Sequence, residues 1–516
     1  MRRLKYIIVF GLILLLIQES YGLGKKDKLK KKLHKAENYF DKGDYMNAMK
    51  LFGELLESEP NSEYYHYHLG VCKFYIIKHR AEALEHFEKS NSKIDTEIFY
   101  FLGMLYHLKG EFIKAEENFK KYLETDIRSY DDEYVKQLIA DVSNAKIFLQ
   151  YPVSAEINNL NEPVNSVYSE YVPLINASGT TLFFTSRKEG STGGKTDVYG
   201  QYYEDIYFSE LKDGIWSSPK QLTAPVNTPT HDACVGLTPE GENLLIYRTN
   251  NTLTSGDIYL TESDGSKWSE PIILDEVINS ADWNEPSACF SPDGGTIYFT
   301  SNRPGGLGGK DIYRAVKLPG GKWSEPMNLG PNINTPFDDD APFVHSNGKE
   351  LYFSSKGHEN MGGYDVFKSE IDSNGNWQKA KNMGSPINST DNDIYLVLTA
   401  DGQTGFLSSS RDGGLGETDL YSFRFTYGDP GYLVGEGFVR DENGNPINAK
   451  ITVIETDIMK IHGVYKANRL TGKFIYLHCE DHDYEIVVEA EGYNSKTVYM
   501  TGDTFNTIEI NLNKIK

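Results

Sequence analysis

One strand-like word recurs five times in this 516-residue chain and limits its fold more than any other feature. It reads "DIYFSEL" from Asp205, "DIYLTES" from Asp257, "DIYRAVK" from Asp311, "DVFKSEI" from Asp365 and "DLYSFRF" from Asp419. Each copy follows a polar, mostly Gly-rich loop. Each loop follows an apolar strand: "TLFFTSR", "NLLIYRT", "TIYFTSN", "ELYFSSK" and "TGFLSSS". Trp216, Trp268, Trp323 and Trp377 come after the first four words, with Asn227, Asn279, Asn334 and Asn388 each 11 residues further on. Four short strands every 52–55 residues predict a β-propeller. Such a unit cannot bury its apolar face alone and must stack on its neighbours.

The fifth copy stops after "DLYSFRF", one strand short. "SAEINNLNEPVNS" (154–166) matches "WSSPKQLTAPVNT" (216–228), with Leu160 at the place of Leu222 and Asn165 at that of Asn227. Residues 154–166 are therefore expected to complete the last blade and remove two exposed strand edges. This gives a five-bladed propeller over 151–427.

The loops "GSTGGKT" (190–196) and "SNRPGGLGGKDIY" (301–313) look like phosphate cradles. A phosphate loop leads from a strand into a helix, so that amides and helix dipole face the anion. These loops join two strands instead. "GSTGGKT" is one residue short of the pattern, and "GGKD" lacks the magnesium-binding hydroxyl. They are expected to be architectural turns that need residues without a Cβ.

Two columns of acids recur. Asp205, Asp257, Asp311, Asp365 and Asp419 are expected to hold the amides of the preceding loop. Glu170, Asp232, Glu285, Asp339 and Asp393 stack at the start of the innermost strand. Five carboxylates near one channel mouth could hold a hard cation such as calcium or meet a basic partner. Alternatively, each bonds to the backbone of its own or the next blade.

Residues 25–150 carry a helical period. Ala48, Ala83 and Ala115 bracket a 34-residue repeat, with Gly43, Gly70, Gly103 and Gly110 and with Phe52, Phe87 and Phe119 at tetratricopeptide positions. The prediction is a tetratricopeptide α-solenoid capped by a helix at 130–149. Tyr64, Tyr67, Val71, Phe74, Tyr100, Met104 and His107 would line its concave face, a groove suited to an extended peptide or a partner helix. Ordinary packing between repeats accounts equally for many of them.

Residues 428–516 alternate apolar and polar between Gly and Asn turns, which predicts a small antiparallel β-sandwich. The words "GEGFVRDENGNPI", "TGKF" and "YEIVVEAEGY" resemble the carboxypeptidase regulatory-like domain, a prealbumin-like fold. His478 and His482 flank Cys479, but no further ligand has metal-site spacing, so surface histidines are expected there. Cys72, Cys234, Cys289 and Cys479 fall in separate segments and read as small apolar side chains. Whether Cys234 and Cys289 pair is left open.

At the N-terminus, "MRRLK" and the apolar run Tyr6–Ile17 predict a secretory signal over 1–22, and no later stretch is apolar enough to span a membrane. The net charge of −22 argues against nucleic acid as a partner, because phosphates repel an acidic surface.

The order signal, tetratricopeptide repeats, PD40-type propeller and regulatory-like sandwich resembles the PorE-type proteins of the type IX secretion system. The resemblance covers nearly the whole mature chain. It implies a periplasmic scaffold associated with the outer membrane, holding envelope or outer-membrane proteins, with no enzymatic activity and no cofactor beyond a structural cation. No G-x-S-x-G word accompanies the propeller, so a serine hydrolase is not expected. Family members usually end in an OmpA-like domain and often carry a lipobox. This sequence stops at "EINLNKIK" without either, so direct cell-wall anchoring is not expected. The alternative partner is peptidoglycan or another glycan, held by propeller or sandwich loops.

Overall fold

The computed structural model describes residues 27–126, 128–197, 200–426, 432–479, 482–501 and 507–515. The expected signal sequence at 1–22 and the expected domain junction at 427–428 lie outside the described residues. The chain divides into two compact units, 1–139 with 198–200, and 140–197 with 201–516. No helix among the described residues is long and apolar enough to cross a membrane.

The first unit is helical. Residues 27–41 precede Tyr45–Ser58, and Glu63–Tyr75 pairs with Arg80–Glu88, as Ile98–Leu108 does with Phe112–Leu123. Small residues set the approach of these pairs. Ala36, Ala48, Ala83 and Ala115 are fully buried. A Cβ on Gly103 would lie 2.5 Å from the Phe119 ring, and one on Gly70 3.0 Å from Phe87. The helix Asp132–Gln150 carries the chain into the second unit.

The second unit contains five antiparallel sheets whose innermost strands are Glu170–Ile175, Asp232–Leu237, Ala288–Phe290, Asp339–Val344 and Asp393–Leu398. Each innermost strand packs against the next, and the fifth returns to the first, so the sheets form a closed cycle with a propeller-like build. The fifth sheet takes its outer strand from the other end of the sequence: Ala155–Asn159 pairs with Asp419–Phe425.

One device repeats in all five sheets. Asn227 Oδ1 accepts from the Ile206 amide at 2.9 Å, and Asn279, Asn334 and Asn388 do the same for Ile258, Ile312 and Val366. Asn165 does it for Leu420 across the closure, at 2.9 Å. A second device locks sheet to sheet. The amides of Val172 and Cys234 donate to the hydroxyls of Ser408 and Thr185 on the neighbouring sheet, at 3.0 and 3.1 Å.

The Gly-rich loops do need residues without a Cβ, for two reasons: Gly190, Gly194 and Gly305 adopt positive φ, and other glycines have no room for a Cβ. Gly308, Gly362 and Gly416 do not use positive φ. Their backbones lie flat against the loop of the next sheet, where a Cβ on Gly416 would fall 1.7 Å from the Tyr168 carbonyl oxygen.

Residues 433–512 form a three-stranded and a four-stranded sheet around Ile451, Val453, Phe474, Tyr476 and Ile486. The pairing is not wholly antiparallel, because Leu433–Asp441 runs parallel to Ile508–Leu512. This core continues onto Ala177 and Ala400, in the turns that follow two of the innermost strands. Arg469 meets Glu262 with both guanidinium branches, Asn468 Nδ2 donates to Asn243 Oδ1 at 3.0 Å and Thr471 Oγ1 to Glu242 at 2.5 Å.

Candidate functional site

The helical candidates do not line an open groove. Tyr67, Val71, Phe74, Tyr100 and His107 are buried, and only Tyr64 and Met104 stay half-buried. The chain's own aromatic groups occupy the space. Tyr100 stacks on Tyr130 with centroids 4.2 Å apart, Phe74 meets Phe101 edge-on at 5.0 Å and His107 meets Phe112 at 5.7 Å. Burial, followed by the Asp95 carboxylate, pushes the Tyr67 phenol far above its ordinary value.

The second acid column is buried too, and its oxygens are taken up by the loop that leads into each strand. Glu170 accepts from the Ser166 amide at 2.9 Å and from Ser186 Oγ at 2.7 Å. The Asp232, Asp339 and Asp393 carboxylates accept from the amides of Thr228, Thr335 and Ser389, each at 2.6 Å. Glu285 accepts from the Ser280 amide at 3.1 Å and from Ser301 Oγ at 2.6 Å. Arg248, Arg303 and Arg411 neutralise Asp232, Glu285 and Asp393.

Burial pushes Asp339, which has no arginine, up to about 8, and burial also raises Glu170. All five carboxylates are buried and held by hydrogen bonds rather than turned to an open channel, although Asp339 Oδ1 finds no partner among the described residues. Among the described residues no set of three His, Cys, Asp or Glu side chains is arranged to hold a metal ion. The first column behaves as a loop anchor at Asp205, Asp311, Asp365 and Asp419, which accept from the amides of Thr192, Leu307, Met361 and Leu415.

A different cluster stands beside the buried column, at the same end of the innermost strands. Tyr171 donates to Glu204, whose other oxygen lies 2.9 Å from His231 Nδ1. Burial alone would raise Glu204, but His231 and Tyr171 outweigh it and hold the carboxyl below its ordinary range. Lys310 Nζ meets Asp340 at 2.8 Å, and Ser287 Oγ donates to the other Asp340 oxygen at 2.5 Å. Lys356 Nζ meets Asp338 at 3.0 Å, with the Tyr364 hydroxyl 3.3 Å from the same oxygen.

Tyr395 joins these groups. Its φ of 60° at a break in strand register is costly for a bulky side chain. Burial and the nearby Asp340 and Glu204 charges drive its phenol far up. Tyr171, Glu204, Lys310, Tyr364 and Tyr395 lie deep among protein atoms yet keep part of their surface open, as the lining of a concave mouth does.

Tyr395 also borders an apolar axial cavity of ≈ 40 Å³ beyond the mouth, lined by Val172, Val235, Cys289, Ala341 and Val397. That volume suits one or two waters and no larger ligand.

Sequence reasoning missed this cluster because its members break the repeat. Tyr171 and Asp340 follow the column acid where other sheets have Ala233, Pro286 and Ile394. Glu204, Lys310 and Tyr364 precede the recurrent Asp where other sheets have Gly256 and Thr418. Departure from an otherwise regular column was the available signal.

In the sandwich, His478 is buried rather than on the surface, and burial pushes its imidazole down to about 4. His482 instead lies 3.1 Å from Glu455. The four cysteines are thiols, and Cys234 and Cys289 do not form a disulfide.

No family model matches the chain, and no curated protein does. Solved structures similar to it include one named as a glycoside hydrolase, 10% identical, covering 56% of this chain and 95% of its own, with a TM-score of 0.38. A TolB of Agrobacterium tumefaciens is 16% identical, covers 53% and 98%, and scores 0.28. An N-acetylgalactosamine deacetylase from F. plautii is 12% identical, covers 51% and 89%, and scores 0.29. The likeness is one of propeller-like build alone. It corrects the expectation that the chain is not an enzyme: similar chains are named for glycoside hydrolysis and deacetylation, so the build is no ground for excluding catalysis.

Proposed function

We propose that this chain is a periplasmic protein of the PorE kind, associated with the outer membrane, that holds envelope partner proteins. In this reading residues 25–150 are tetratricopeptide-like repeats, 151–427 a five-bladed PD40-type propeller and 428–516 a prealbumin-like sandwich. The observation that carries it is the pairing of a fixed end with an open one. The sandwich is bound to the far end of the second sheet, where Thr471 meets Glu242 in the turn after Asp232–Leu237, Asn468 meets Asn243 and Arg469 meets Glu262. The mouth of Glu204, Lys310, Asp338 and Asp340 lies one strand-length away, about 20 Å for six residues. A rigid block with one half-buried, hydrogen-bonding concavity suits recognition, because little ordering entropy is lost on binding.

Crosslinking in the intact envelope, with the tagged chain as bait, tests this. Recovery of outer-membrane proteins, lost in Tyr364→Ala and Lys356→Glu, is the expected result. Recovery of no protein, or recovery indifferent to both variants, overturns it.

A further inference from the structure

We propose that the mouth recognises an uncharged, hydroxyl-rich ligand, namely a neutral saccharide segment; this rests on the mouth being the recognition surface. The charges in the mouth are already spent on one another. Lys310 is matched by Asp340 and Lys356 by Asp338, Arg187 holds Asp197 at 2.5 Å, and Glu204 is taken up by the Tyr171 hydroxyl and His231 Nδ1. A phosphate or carboxylate ligand would need a cation without a partner, and a cationic ligand a free carboxylate. Among these described residues, the mouth offers neither.

It does keep hydrogen-bonding capacity at fixed positions. The Tyr395 hydroxyl makes no hydrogen bond among the described residues, although Asp340 and Glu204 are near. The Tyr364 hydroxyl bonds only to Asp338, at 3.3 Å, which leaves its lone pairs open. Both bring a rigid ring with a polar tip at small entropic cost, as a ligand of alternating C–H and O–H groups requires. Paired carboxylates retain lone pairs that can accept further hydroxyls without any change in net charge. Such a ligand could be a glycan carried by a partner protein or a strand of cell-wall polysaccharide, since both present the same chemistry.

The test is binding of the full-length mature chain to an array of neutral oligosaccharides, uronic acid-containing and amine-bearing counterparts, and uncharged decapeptides. Neutral saccharides are expected to bind, with an affinity that stays level as salt rises, since no charge is screened. Tyr395→Phe should weaken that binding threefold to tenfold, roughly the loss of one hydrogen bond, while near-ultraviolet circular dichroism reports an unchanged fold. Preference for charged sugars, a fall with salt, binding of peptides alone, or no binding overturns the proposal.

The two readings fail separately. Envelope crosslinks lost in Tyr364→Ala without saccharide binding overturn the ligand class and leave the mouth as the recognition surface. Saccharide binding that Tyr395→Phe weakens, without protein crosslinks, overturns the protein-partner reading and leaves the ligand class. If crosslinks fall when the recovered partner is deglycosylated, the source is a partner glycan; recovery of cell-wall sacculi instead assigns it to the wall.

Discussion

The buried acid column and the ionic mouth lie side by side at one end of the same five strands, yet they differ in almost every respect. The column repeats in every sheet, is fully buried and finds its partners within its own sheet, in the loop that precedes the strand and at the end of the neighbouring strand. The mouth is built from groups that occur in only one or two sheets, are half-buried and find partners farther off, such as Lys310 with Asp340. Repetition in this chain encodes what holds the ring together; interruption of the repeat marks what the ring presents.

The difference can be broken first at its strongest point. Asp393→Asn removes the carboxylate from Arg411, which is otherwise held by the carbonyls of Pro386 and Ile387. Loss of about 3 kcal/mol of stability is expected, since one ion of a buried pair is left uncompensated; urea unfolding measures it. Gly416→Ala should cost about 1–3 kcal/mol by driving a Cβ into the Tyr168 carbonyl, seen as a lower thermal midpoint.

Asp339→Asn should cost little at neutral pH, because burial already keeps that carboxyl protonated to about pH 8. A carboxyl raised in this way makes the folded chain bind more protons than the unfolded one from about pH 4 to about pH 8. Its contribution to stability is complete at the acid end of that window and is lost as pH rises. Asp339→Asn should therefore flatten the decline of stability over this range, and a slope equal to that of the wild type would refute the assignment. Smallest of all, Tyr395→Phe should change stability by less than about 0.5 kcal/mol, for it touches the mouth and not the scaffold.

The same contrast explains what could be read from the sequence. Asn165 was legible as the fifth member of the Asn227 column because its neighbours Leu160 and Ser166 match as well. The Gly loops were legible as turns that must lack a Cβ, but not the neighbour that excludes it, since the close approach of Gly416 to Tyr168 is between segments about 250 residues apart in sequence. The helical groove failed for a simpler reason. Periodicity places Tyr67 and Tyr100 on one face of a helix but does not tell what covers that face, and here Tyr130 and Asp95 come from the chain itself. The mouth was invisible because a column alignment averages away the single Tyr171 or Lys310 that makes it.

The closure of the ring has a temporal side. Asn159 bonds to Asp419 across 260 residues of chain. On a ribosome adding about 5–20 residues per second, its strand waits roughly 13–50 s for its partner. During that interval the outer strand of the fifth sheet exists without the three strands it belongs with, and its unpaired edges stay open to any other extended chain. Among the five sheets, the pairing that closes the ring is thus the one the chain waits longest to make.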